Sequence, residues 1–297
     1  MTEADFLAAL RTLPLHPGAL GLRDDVARLG DLILTTDTIV EGVHYLAGDA
    51  PADVAWKLVA VNLSDLAAKG AVPEGVLLNY PLGDGGWDRA FLAGLGNALT
   101  HFASPLLGGD TVSRPADAPR VITLTAIGRA QTPPARTDAR EGDALYVTGT
   151  IGDAGAGLRI ARGEPGPAEL ANRYHRPTPR LAEGKALAPL VHAMMDISDG
   201  LLIDAARMAN ASGLGITIDL GAIPLSDAYR AFAGEDRAAR LAAATSGDDY
   251  ELLFAAPTDT RLTAPATRIG TVTAGAGLAL TDGGLPIPLP TTLGFQH

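Results

Sequence analysis

The chain has 297 residues, enough for two domains of ordinary size. Hydrophobic residues make up 47% and charged residues 19%, which suits a packed globular protein and argues against disorder or a coiled coil. The formal charge of −11 sets the overall field against nucleic acid and anionic membrane surfaces, and the lack of cysteine excludes disulfides, thiolate-held metal and thiol nucleophiles.

Residues 2–13 place Phe6, Leu7, Leu10 and Leu13 near helical spacing behind a Thr2/Asp5 capping box, which predicts a short opening helix. This terminus carries acids where a secretion signal needs basic residues, and no apolar run approaches the ~18 residues of a membrane span, so the expectation is a soluble, cytoplasmic protein. The run LILTT at 32–36 predicts a strand ending at Asp37 and leading into Glu41, Gly42 and His44. Residues 53–70 read as a helix, with Val54, Leu58, Val61 and Leu66 on the apolar face and Gly70 as its stop. A strand at 76–80, a helix at 87–102, a short strand at 105–107 running into Gly108, Gly109 and Asp110, and a strand at 121–128 complete the first half. The mixture is of the α/β or α+β kind, with acids at the junctions.

The segment 131–142, with Pro133 and Pro134, reads as a connection, and a boundary near 137 divides the chain into domains 1–137 and 138–297. The second half opens with a strand at 144–148 and a glycine-rich stretch at 149–157, then a helical region interrupted by Pro177 and Pro179. The run 193–198 precedes a helix from about 199 to 211, strands follow at 215–220 and 251–255, and a hairpin turns at Asp282, Gly283 and Gly284.

Acidic residues recur beside Gly, Ser or Thr and next to apolar runs: Asp24-Asp25, Thr35-Thr36-Asp37, Ser64-Asp65, Gly109-Asp110, Asp196-Ile197-Ser198-Asp199 and Gly247-Asp248-Asp249. Any one of these alone is a turn residue or a helix cap by default, and Asp199 at a helix start suits either capping or metal binding. Together they point elsewhere. Strand ends carry side chains to a common sheet edge, where converging carboxylates repel by on the order of 4 kcal/mol per pair at about 4 Å. Cations relieve that repulsion, and magnesium, which shares oxygen ligands with substrate phosphates, suits the site. The chain has no GxxxxGK[ST] loop, GxGxxG fingerprint, GxSxG elbow or HExxH motif, and its six histidines form no metal-spaced pair.

The segments LTTDTIVEGVHY, KLVAVNLSDLAAKGA, LLGGDT, LYVTGTIGDAGAGL, RYHRPTPR, MDISDGLLIDA and SGDDYELLF, in this order, resemble the thiamine-monophosphate kinases. That family belongs to a superfamily with aminoimidazole ribonucleotide synthetase and selenophosphate synthetase. The resemblance covers nearly the whole chain and implies two α/β domains, the first pairing in a homodimer and binding metal and ATP phosphates, the second completing the ATP and substrate site. It implies direct magnesium-assisted transfer of a phosphoryl group from ATP, as co-substrate, to thiamine monophosphate. By position it assigns Asp25, Thr35, Thr36, Asp37, Asp65, Asp110, Asp196 and Asp199 to several magnesium ions, with turnover depending on Asp37 and Asp199. It assigns Gly109, Asp110, Arg136 and Ser198 to ATP, and His44, Asp248 and Phe295 to thiamine monophosphate.

Three positions depart from the family pattern: Arg23 stands for a usual glycine, Asp248 for a usual glutamate and Phe295 for a frequent tyrosine. Two rival readings remain open to test, another ATP-using superfamily enzyme such as a purine-pathway synthetase, and a catalytically silent nucleotide-binding protein. Selenophosphate synthesis is disfavoured by the missing cysteine.

Overall fold

A computed structural model describes residues 2–115 and 117–296. The opening helix α1 spans Glu3–Leu10, and the capping box closes it: the Thr2 hydroxyl accepts from the Asp5 amide at 3.2 Å while the Thr2 amide donates to the Asp5 carboxylate at 3.0 Å. A 3₁₀ segment, Pro17–Leu22, kinked at Leu20 and Gly21, leads to the first sheet.

That sheet holds β1 (Ala27–Leu29), β2 (Leu32–Val40), β3 (Val72–Leu82), β4 (Leu106–Ser113) and β5 (Val121–Arg129) in the order β1-β2-β5-β3-β4. The pairs are antiparallel except β3 with β4, which is parallel. Alternation explains its two faces: Ile122, Leu124 and Ala126 of β5 are buried, and the residues between them look outward. The buried face packs Ile33, Ile39 and Val76 against Leu58 of α2 (Pro51–Ala68) and Phe91 of α3 (Gly85–His101). On the outer side Leu77, Leu107 and Val121 are exposed.

β3 is longer than the expected strand at 76–80 because its prolines sit where it has a single neighbour. Pro73 pairs with β5 alone and Pro81 with β4 alone, so neither ring interrupts a two-sided ladder. The GGD segment, expected as a loop after a short strand, is itself strand: β4 runs through Gly108, Gly109 and Asp110. A Cβ on Gly109 would lie 1.8 Å from the Leu78 carbonyl oxygen, so this close parallel pairing requires glycine.

The second sheet contains β6 (Ala144–Val147), β7 (Ala193–Asp196), β8 (Gly215–Asp219), β9 (Leu252–Ala256), β10 (Thr267–Thr273), β11 (Gly277–Asp282) and β12 (Leu285–Ile287), ordered β12-β11-β8-β10-β6-β9-β7. Around it lie α4 (Asp153–Ala161), α5 (Ala168–His175), α6 (Leu181–Leu187), α7 (Leu201–Ser212), α8 (Asp227–Ala233) and α9 (Arg237–Ala244). β7 and β9 are buried along their whole length. One face meets Leu201, Leu202 and Ala205 of α7, and the other packs Met194, Leu252 and Phe254 against Ala67 and Ala68 at the end of α2. The two halves therefore share a core. A Cβ on Gly184 of α6 would sit 1.9 Å from the Ala67 carbonyl oxygen, which lets α6 cross α2 in contact. Polar ties reinforce the junction: Trp56 Nε1 donates to the Pro177 carbonyl at 3.0 Å and the Tyr174 hydroxyl to Asp49 at 3.0 Å. Among the described residues no helix is long and apolar enough to cross a membrane.

Candidate active site

Where the halves meet, a cavity of about 1100 Å³ opens, roomier than the several hundred Å³ typical of a small-ligand pocket. Asp37, His44 and Asp65 line it from the first half, and Asp196, Asp199 and Asp248 from the second. The carboxylates do converge, though only Asp196 comes from a strand end: oxygens of Asp25, Asp65 and Asp196 all lie within 4.8 Å of one another. Asp65 projects from the last turn of α2, and Asp196 closes β7. Thr35, one strand position from the outward-facing Thr36, turns inward and donates its hydroxyl to Asp65. The Asp37 amide donates to Asn62 Oδ1 at 3.0 Å, which pins β2 to α2 beside the cluster.

Burial pushes the Asp65 carboxyl well above the ordinary range, and the charges of Asp196, Asp37 and Asp25 add to it. Burial and then the Asp25 charge lift Asp196 to about 8; burial with Asp25 and Asp199 lifts Asp37 to about 6. Asp25 goes the other way. Burial opposes its charge, but Lys69 and Arg136 outweigh that and hold it below the usual carboxylate range. A cluster of crowded acids that resists full ionisation, with oxygen donors alone, fits a hard divalent cation such as magnesium.

Asp199 is free of capping duty. α7 begins at Leu201, two residues later than expected, with Gly200 as its cap residue. The buried Asp204 carboxylate accepts from the amides of Ser198 and Asp199, both at 3.1 Å, so the loop's donors are satisfied from within the helix. The Asp199 side chain instead accepts from Arg207, whose guanidinium also reaches Asp204 at 2.8 Å. Arg136 lines the cavity 3.3 Å from Asp25, and Ser198 lines it beside Asp199.

At the other end of the cavity, the His44 Nδ1 accepts from the Val40 amide at 3.1 Å, which leaves the ring proton on Nε2. Lys57, buried in α2, donates to the His44 carbonyl at 3.0 Å and to Asp248 at 2.7 Å, and its ammonium lies 4.1 Å from the Tyr174 ring centre. Tyr250 donates its hydroxyl to the same Asp248 carboxylate at 3.1 Å. Asp248 has φ +70, a left-handed conformation that aspartate tolerates better than most residues. Phe295 lines the cavity and is anchored by its amide to the Asp199 carbonyl at 2.9 Å.

Two expected groups stand apart. Thr36 faces the outer side of the sheet, where its hydroxyl meets the Leu124 carbonyl and Thr125. Gly109 is three strands from Asp37 along the row Asp37, Leu124, Leu78, Gly109, about 14 Å at ordinary strand spacing, and Asp110 is its neighbour on the exposed edge. Sequence reasoning missed Lys57, Asn62, Lys69, Asp204 and Arg207. The signal for Lys57 was present: α2 is apolar nearly all round, so a charged residue inside it has to be buried and partnered.

Comparison with known proteins places this geometry. Residues 23–130 match the model for the AIR synthase related protein N-terminal domain and residues 140–283 that for its C-terminal domain, which defines the class of fold. The thiamine-monophosphate kinase of Escherichia coli K12 is 38% identical over 94% of this chain and 91% of its own length. That of Caulobacter vibrioides is 38% identical over 100% and 91%. The solved structure of AaThiL complexed with AMPPCP and TMP aligns with a TM-score of 0.83 at 30% identity, covering 96% of this chain and 99% of that one. The chain belongs to the thiamine-monophosphate kinase family.

Proposed function

We propose that this protein transfers the terminal phosphoryl group of ATP to the phosphate of thiamine monophosphate, giving thiamine diphosphate and ADP. The observation that carries the reading is the carboxylate group Asp25, Asp65 and Asp196 on the wall of a cavity large enough for a nucleotide and a second ligand. Family membership supplies the acceptor.

The acceptor phosphate oxygen is already ionised at neutral pH, so the reaction needs alignment and charge control more than a base. Asp25, Asp37, Asp65, Asp196 and Asp199 would hold magnesium, which when bound supplies neutralisation of the triphosphate charge. Thr35 orients Asp65, and Asn62 fixes the backbone of Asp37. Arg136 and Ser198 would meet ATP. His44, Asp248 and Phe295 form the thiamine end, with Lys57 and Tyr250 fixing the Asp248 carboxylate. Residues 1–137 serve as the phosphate-binding and pairing domain, and 138–297 complete the site.

A homodimer built on the outer face of the first sheet accounts for that face's exposed Leu77, Leu107 and Val121. It also accounts for Gly109 and Asp110, which lie on the same exposed sheet away from their own chain's cavity and would act at the interface. The cytoplasm, where ATP and magnesium are plentiful, is the compartment this chemistry suits. The decisive experiment is incubation of purified protein with ATP, magnesium and thiamine monophosphate. Thiamine diphosphate and ADP should appear in equal amounts. ADP release with formylglycinamidine ribonucleotide instead, or ATP binding without turnover, would replace the proposal with one of its rivals.

A further inference from the structure

The Asp25 corner of the carboxylate group contains a cation that the chemistry above leaves without a role. Lys69 follows the last residue of α2, and its side chain is 1% exposed. Its ammonium lies 2.5 Å from Asp24, 3.0 Å from Asp25 and 3.1 Å from the Met194 carbonyl oxygen. An ammonium has three N–H bonds, so three oxygens account for all of them. Arg136 stands 3.3 Å from the remaining Asp25 oxygen. Two acids and two bases thus balance at this corner of the carboxylate group.

We propose that Lys69 is a resident cation, standing where the Asp24–Asp25 pair would otherwise draw a divalent ion, so that divalent ions gather toward Asp37, Asp65 and Asp196. The inference rests on the reading that this group holds divalent ions. Its content is an added one: Lys69 is a positioning residue that fixes how many ions enter and which oxygens of Asp25 they share. Unlike a bound ion, the ammonium does not leave between turnovers, so Asp25 keeps its orientation while nucleotide and ions exchange. Its position in the middle of the domain junction, touching the first-half loop at Asp24 and Asp25 and the second-half strand β7 at Met194, also holds the corner in register across the two halves.

The test counts ions. The full-length protein, freed of divalent metal, is titrated with Mn²⁺, with free Mn²⁺ followed by electron paramagnetic resonance and unfolding followed by a thermal melt. Lys69→Met keeps the length of the side chain and removes its charge. It should bind one more Mn²⁺ per chain than the wild type and gain more thermal stability from Mn²⁺ than the wild type does. Asp24→Asn should bind the wild-type number, because Asp24 faces the lysine and not the ions. An unchanged count in a folded Lys69→Met protein, or the loss of an ion in Asp24→Asn, would overturn the inference while leaving the metal reading intact. If Lys69→Met does not fold even with Mn²⁺ present, the Asp24→Asn count decides. A wild-type protein that binds no Mn²⁺ would overturn both readings together.

Discussion

Replacing Asp37 or Asp199 with asparagine removes a charge from the cavity wall while keeping side-chain volume. Turnover should fall by on the order of 100-fold or more, with the far-ultraviolet dichroism close to wild type; near-normal rates in both variants would remove these residues from the mechanism. The raised carboxyls give a pH dependence whose sign follows from linkage. In the folded, metal-free protein Asp37 titrates at about 6 and Asp196 at about 8, both above an unfolded value near 4, so the folded state binds more protons through this window. Stability without metal should therefore fall as pH rises from about 4 to about 8, and the stabilisation conferred by magnesium should grow over the same range. Differential scanning fluorimetry with and without magnesium checks both trends, and a magnesium increment that stays flat with pH would contradict them. The acids of this site were legible because they stand beside small residues at the ends of apolar runs. Their basic partners were not: nothing local in the sequence joins Lys57 to Asp248, 191 residues away, or Lys69 to Met194, 125 residues away.

α2 is the element on which both ends of the cavity depend. Lys57, Val61, Asp65 and Lys69 recur every four residues, so one stripe runs from the His44 and Asp248 end to the Asp24 and Asp25 corner, about 18 Å at helical rise. Lys57→Met leaves Asp248 without its ion-pair partner. Because Asp248 is 29% exposed, the stability cost is reduced to about 2 kcal/mol by solvent, and the larger effect should be a rise in KM for thiamine monophosphate with KM for ATP nearly unchanged. Equal changes in both constants would place Lys57 in the scaffold alone. Most of the helices and strands could be found from periodicity and from glycine and proline punctuation. β1, α8 and α9 went unread, and other exceptions have physical causes: β4 carries GlyGlyAsp inside a parallel ladder, β3 has its prolines at one-sided positions, and β10 shows little alternation in its burial. Segments quoted for the family likeness also turn out to be partly framework. Arg180 of RYHRPTPR pairs with the buried Glu251, which in turn accepts from Thr148 at 2.6 Å.

At the scale of the whole molecule, assembly and the junction between halves govern whether a complete site exists. Light scattering coupled to size-exclusion chromatography should give twice the chain mass of 30.4 kDa, and Leu77→Asp on the outer face of the first sheet should shift it toward a folded single chain with depressed activity. A wild-type mass of one chain would remove the paired arrangement. Placement of Gly109 and Asp110 away from their own cavity was illegible in the sequence, since strand order is set by non-local pairing and no segment records which edge it will occupy. The close crossing of α6 over α2 at Gly184 has an engineering consequence. Because Ala67 and Ala68 complete a layer whose other members include Met194, Leu252 and Phe254, neither piece of a chain cut in the 131–137 connection would have a finished interior. The two pieces should be insoluble when made separately and recover activity when made together, so that a severed form of this protein would report the proximity of whatever its fragments are fused to.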